Sequence, residues 1–90
     1  MDKILVEKAD EKKLEELNVD SWPIWEKEVS KFEWSYDEKE TCYILDGNAK
    51  VCPEGGKAVN FGAGDIVVFS AGLRCTWEIT LPIRKRYKMG

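Results

Sequence analysis

Short runs of alternating apolar and polar residues, broken by glycine-containing turns, organise most of this chain. KILVEK, residues 3–8, alternates and reads as a short strand. Asp10 is placed to cap a short helix over EKKLEEL, residues 11–17, because its carboxylate can accept a bond from a free backbone N–H. Leu14 and Leu17 are three apart and give that helix one small apolar face. Pro23 fixes an extended entry at Trp22. From Ile24 onward the period is two, and strands are expected over IWEKEV (24–29), KFEWSY (31–36) and ETCYIL (40–45). A tight turn is expected at Asp46-Gly47-Asn48, since glycine accepts positive φ. AKVC, KAVNF and DIVVF follow, separated by turns at PEGG and GAGD. LRCTWEIT, residues 73–80, alternates cleanly, with Leu73, Cys75, Trp77 and Ile79 on one face. IRKRYK is expected as a last strand after Pro82. About eight short strands with a turn signal every several residues predict an all-β sandwich or barrel.

Composition narrows the function classes. Ninety residues make one domain. Four Trp, three Tyr and three Phe supply much of a core that so short a chain must keep small. No apolar run approaches the length of a membrane span, and the start MDKILVEKADEKK lacks the pattern of a signal peptide. A cytoplasmic protein with no membrane partner is expected. The net charge of −3 is uneven: residues 1–40 carry −6 and residues 41–90 carry +3. The one dense basic run, RKRYK at 84–88, is too narrow for a nucleic-acid face and reads as a solvated edge strand. The three cysteines, Cys42, Cys52 and Cys75, have no CxxC spacing and read as reduced thiols.

The candidate chemistry lies in WSYDEKETCYILDG, residues 34–47. Residues two apart on a strand share a face, so an unbroken strand aligns Trp34, Tyr36, Glu40, Cys42 and Ile44. Glu40, six intervening residues and Gly47 match the second half of the first cupin motif. The two histidines of that motif fall at Trp34 and Tyr36. GDIVVFSAGLRC, residues 64–75, follows the second motif, with Ser70 in place of its proline and Cys75 in place of its histidine. With WPIWEKEVSKFEW and the closing PIRKRY, these blocks resemble the small single-domain cupins related to the cupin domain of (S)-ureidoglycine aminohydrolase. The likeness runs from about Trp22 to Tyr87.

The resemblance implies a cupin-type jelly-roll β-barrel, or double-stranded β-helix, with a short N-terminal helix and a pocket in its wider mouth. Residues 1–21 then form the N-terminal strand and helix, and 22–88 the barrel. Metal-dependent cupins hold a divalent ion with two histidines, the glutamate and a third histidine; only Glu40 remains here. Trp offers no acceptor and a phenol is a poor neutral ligand. No cofactor is therefore expected. The ligands that remain for a metal are Glu40, Cys42 and Cys75, against the reading of both thiols as small buried hydrophobes. The expected role is small-molecule binding in an aromatic-lined pocket of Trp34, Tyr36, Glu40, Cys42, Cys75 and Trp77. The alternative is a metal-dependent, ureidoglycine aminohydrolase-like hydrolase using Glu40, as the catalytic carboxylate, with Cys75. Arg74 or an arginine of the tail is a candidate partner for Glu40. ETCYIL is apolar on both faces, which requires cover from the N-terminal segment or from a second copy in a homodimer.

Overall fold

A computed structural model describes residues 3–90; Met1 and Asp2, the start of the expected first segment, lie outside the described residues. The elements in order are β1 (Ile4–Lys8), α1 (Glu11–Leu17), a 3₁₀ turn (Val19–Ser21), β2 (Ile24–Lys27), β3 (Ser30–Ser35), β4 (Glu40–Pro53), β5 (Val59–Gly62), β6 (Asp65–Phe69) and β7 (Arg74–Met89). Helix α1 starts as its sequence requires: Asp10 accepts a hydrogen bond from Lys13 N at 2.7 Å. It ends at Asn18, whose φ of 55° is the left-handed conformation that asparagine tolerates.

Two long strands organise the fold. The second half of β7 pairs with the first half of β4, which also carries β6 and then β1, while β2 pairs with β7 on its other side. The second half of β4 pairs with the first half of β7, flanked by β5 and β3. Every pairing is antiparallel. Each long strand thus serves two sheet halves, and the core fills the space between them. Its members include Ile44, Val51, Phe61, Phe69, Leu73, Trp77, Ile79 and Ile83. The molecule is an all-β jelly roll with little helix.

Three expectations change. Asp46-Gly47-Asn48 is not a hairpin turn. β4 continues through it, and the register against β7 shifts between Ile44 and Asp46, between Asp46 and Asn48, and between Asn48 and Ala49. Gly47, at φ +92°, supplies the positive φ as a bulge instead. A Cβ there would lie 2.1 Å from Pro82 O, so the bend also needs a residue without a side chain. Pro82 likewise does not separate two strands, since β7 runs through it. Finally, RKRYK is no edge: it lies in β7 between β4 and β2.

The expected alignment of Trp34 through Ile44 also breaks. β3 ends at Ser35 and β4 begins at Glu40. Between them Tyr36 is tied to the loop before β7, through Tyr36 N to Leu73 O at 2.9 Å and Gly72 N to Tyr36 O at 2.7 Å. Tyr36 turns inward and is buried, whereas Trp34 stays 50% exposed.

Candidate ligand pocket

Strand alternation puts Glu40, Cys42 and Ile44 of β4 on the inner face, and Ile83, Lys85 and Tyr87 of β7 on the same side. Glu40 and Lys85 are the two buried charged residues, at 6% and 5% exposure, among those described. They meet: Lys85 Nζ donates to Glu40 Oε2 at 2.6 Å. Lys85 stands opposite Trp25 of β2 in the register. Its ammonium lies 4.8 Å from the Trp25 ring centre, 4.9 Å from that of Trp77 and 5.9 Å from that of Phe69. The negative faces of these rings and the carboxylate together compensate a charge removed from water.

Above the pair opens a cavity of about 400 Å³. Trp25, Phe32, Trp34, Tyr36, Trp77 and Tyr87 form its walls, with Met89, Ser35, Asp37 and Glu38 completing the lining around Glu40 and Lys85. The walls are braced by one another. Tyr36 stacks on Phe69 with ring centres 4.8 Å apart, Phe32 stacks on Trp77 at 6.0 Å, and Trp77 Nε1 donates to Tyr36 Oη at 3.2 Å. Burial, and then the charge of Glu40, raise the Tyr36 phenol above its ordinary value, so it stays protonated and neutral.

Of the six expected pocket residues, Trp34, Tyr36, Glu40 and Trp77 surround this cavity, and Cys42 and Cys75 do not line it. Cys42 is fully buried in the core beside Tyr87, and burial pushes its thiol up to about 12. Cys75 pairs with Pro53 at the far end of β4 and with Trp34. Its Sγ contacts Trp34 O at 3.6 Å, and burial, then Cys52 and Glu40, push it up to about 11. Cys75 instead lines a separate, more open groove of about 870 Å³ with Cys52, Glu54 and Arg74. That groove contains no buried charge pair. The pairing expected of Arg74 or a tail arginine with Glu40 is made by Lys85.

Lys85 lies inside a dense basic run, where a lysine is ordinarily solvated, so local sequence alone does not mark it as a site residue. The signal was present: Cys75, Trp77 and Ile79 point inward at odd positions, and Ile83, Lys85 and Tyr87 continue that parity. Trp25, Phe32 and Tyr87 are not marked as pocket walls by local sequence either, because their convergence depends on pairing between distant strands.

The donor set does not fit a divalent metal. Glu40 is engaged by an ammonium, both buried thiols hold their protons, the chain has no histidine, and Trp34 and Tyr36 offer a half-exposed indole and a neutral phenol. No group of three or more His, Cys, Asp or Glu among the described residues could hold a metal ion. No described helix is long and apolar enough to cross a membrane.

Antiparallel sheet halves closed on an aromatic core, with a pocket at one mouth, define a cupin. The family model of the EutQ-like cupin domain matches residues 14–87, and the chain belongs to that family. A DUF861 family protein of known structure from Thermotoga maritima is 50% identical over 98% of this chain and 100% of its own, with a TM-score of 0.96. The EutQ protein of Clostridium difficile is 20% identical over 98% of this chain and 68% of its own, at TM-score 0.69. A putative ethanolamine utilization protein Q from Salmonella typhimurium is 21% identical over 73% of this chain and 53% of its own, at 0.67. These last two share the fold alone. No curated protein sequence matches the chain. The membership established is the EutQ-like cupin family; none of these likenesses is specific to ureidoglycine aminohydrolase.

Proposed function

We propose that this EutQ-like cupin is a small-molecule-binding protein that uses its aromatic pocket without a metal. One observation carries the reading: the buried Glu40–Lys85 pair forms the floor of a cavity of about 400 Å³ walled by six aromatic rings. A buried ion pair is a poor device for stability, because desolvation offsets much of its attraction. At the base of a concave aromatic site it has another use, which is to fix the orientation of a ligand. The volume suits a compact, planar molecule rich in N–H groups, a ureide among them. Trp34, half exposed at the mouth, is the wall a ligand would meet first.

The narrower likeness to the ureidoglycine aminohydrolase cupin domain would make the chain a metal-dependent hydrolase using Glu40 and Cys75. Two observations weigh against it: Lys85 engages Glu40, and Cys75 lines the outer groove rather than the pocket. The test is a ligand-observed NMR screen of small planar compounds, ureides included, against the wild type and Trp34→Ala. Compounds that bind the wild type and bind Trp34→Ala several-fold more weakly support the reading. Turnover of a ureide that depends on added metal and is lost in Cys75→Ser overturns it in favour of the hydrolase.

A further inference from the structure

We infer that the ligand of this pocket is an organic cation: a protonated amine, amidine or guanidinium on a compact planar body. The inference rests on the pocket being a ligand site and names the charge of what it takes. Three features converge. The first is the protein's own use of the space. Lys85 shows that the floor accommodates a positive charge, with its Nζ against Glu40 and within 5 Å of the ring centres of Trp25 and Trp77. Lys85 is in effect a tethered cation already bound in an aromatic cage.

The second feature is a free acceptor. Lys85 occupies Oε2 of Glu40; Oε1 accepts no hydrogen bond from the described residues. No buried side-chain oxygen or nitrogen among them lacks a partner, so Oε1 is not sealed in the core. Glu40 lines the cavity with a side chain more than nine-tenths buried, which makes the cavity the side from which Oε1 is reached. A carboxylate oxygen on so largely buried a side chain favours a charged N–H donor over a neutral one, because charge-assisted hydrogen bonds are the stronger.

The third feature is the balance of charge around the ligand. The lining holds three carboxylates, Asp37, Glu38 and Glu40, against the single ammonium of Lys85. Lys85 is neutralised by Glu40 at the floor, which leaves Asp37 and Glu38 exposed at the mouth to attract cations and repel anions. The exposed ring of Trp34 presents the same preference at the entrance. An anionic ligand would face two carboxylates and several electron-rich rings, with its one counter-charge already taken.

Benzamidinium, benzamide and benzoate have nearly the same shape and differ in charge. Each is titrated into the protein at low ionic strength, with the tryptophan indole N–H resonances as readout. Benzamidinium is expected to shift the indoles of Trp25, Trp34 and Trp77, to bind about tenfold more tightly than benzamide, as one desolvated cation–π contact provides, and to outcompete benzoate entirely. The paired change Asp37→Asn with Glu38→Gln, at exposed positions of the lining, is expected to weaken benzamidinium several-fold more than it weakens benzamide; an equal effect on the two probes overturns the inference. Lys85→Met removes the tethered cation and is expected to strengthen benzamidinium binding. Should that core variant fail to fold, the exposed pair decides alone. Equal or tighter binding of benzamide or benzoate at these indoles overturns the cation inference and leaves the pocket reading standing. Failure of all three probes to move any of the three indoles overturns the cation inference as well, and the wider compound screen then judges the pocket.

Discussion

Lys85 Nζ sits 2.6 Å from Glu40 Oε2, joining the first residue of β4 to the twelfth of β7 inside a box of aromatic rings. In this cupin barrel, which has no histidine, a side-chain ammonium supplies the positive charge beside the glutamate. The pair should therefore behave as a unit. Removing one member leaves the other buried and uncompensated, at a cost of about 3–5 kcal/mol. Glu40→Gln and Lys85→Met are each expected to lower the unfolding free energy by an amount of that order. The double variant should recover a large part of the loss, because it removes both desolvation penalties. Urea denaturation of the four proteins gives the coupling; additive losses would mean the pair is not coupled.

Tyr36→Phe tests the bracing of the wall. The hydroxyl accepts from Trp77 Nε1 at 3.2 Å, and its loss leaves a buried donor unpaired. A destabilisation of about 1–3 kcal/mol is expected. The Trp77 indole proton should also exchange faster with solvent, which hydrogen-exchange NMR measures directly.

Gly47→Ala tests the bulge. At φ +92° an added Cβ meets Pro82 O and Ile83 Cα, both backbone atoms that cannot step aside cheaply. The expected loss is more than about 2 kcal/mol, above the ordinary run of surface substitutions. Gly55, with a positive φ but nothing within 4 Å of an added Cβ, is the control: Gly55→Ala pays only the backbone strain and should lose less. Equal losses at the two positions would remove the close approach as the reason for Gly47.

The buried thiols fix a pH dependence. Burial raises Cys42 from its ordinary value near 9 to about 12, so the folded state holds a proton that the unfolded state releases. That contribution is whole below pH 9 and declines as pH rises toward 12. Stability should fall across this window, and Cys42→Ala should flatten the fall. In the native protein a thiol reagent should modify the exposed Cys52 rapidly, Cys75 at the groove wall more slowly, and the fully buried Cys42 only on unfolding.

The strands and the capped helix were legible because each rests on local chemistry. Asp10 and EKKLEEL specify α1 within one turn, and the parity of Leu73 to Ile79 marks an inward face. The Asp46-Gly47 bulge was not legible as such. A hairpin and a bulge both need positive φ, and only the pairing with β7 across more than thirty residues separates them. The candidate site divides the same way. Glu40 stood out from its spacing to Gly47, whereas Lys85 was hidden in RKRYK. A lysine in a charge run is ordinarily solvated, and its burial follows from β7 lying between two strands.

The most direct test of the central claim, that the aromatic pocket over Glu40 and Lys85 binds small molecules without a metal, is a ¹⁵N–¹H NMR titration. It uses tag-free protein shown by elemental analysis to be free of metal, and a library of small planar compounds. The four indole N–H signals give an internal control, since Trp25, Trp34 and Trp77 line the pocket and Trp22 does not. The account predicts compounds that shift the first three in a saturable way and leave Trp22 still. A library that moves none of the three, or moves them only after a divalent metal has bound near one per chain, would contradict it.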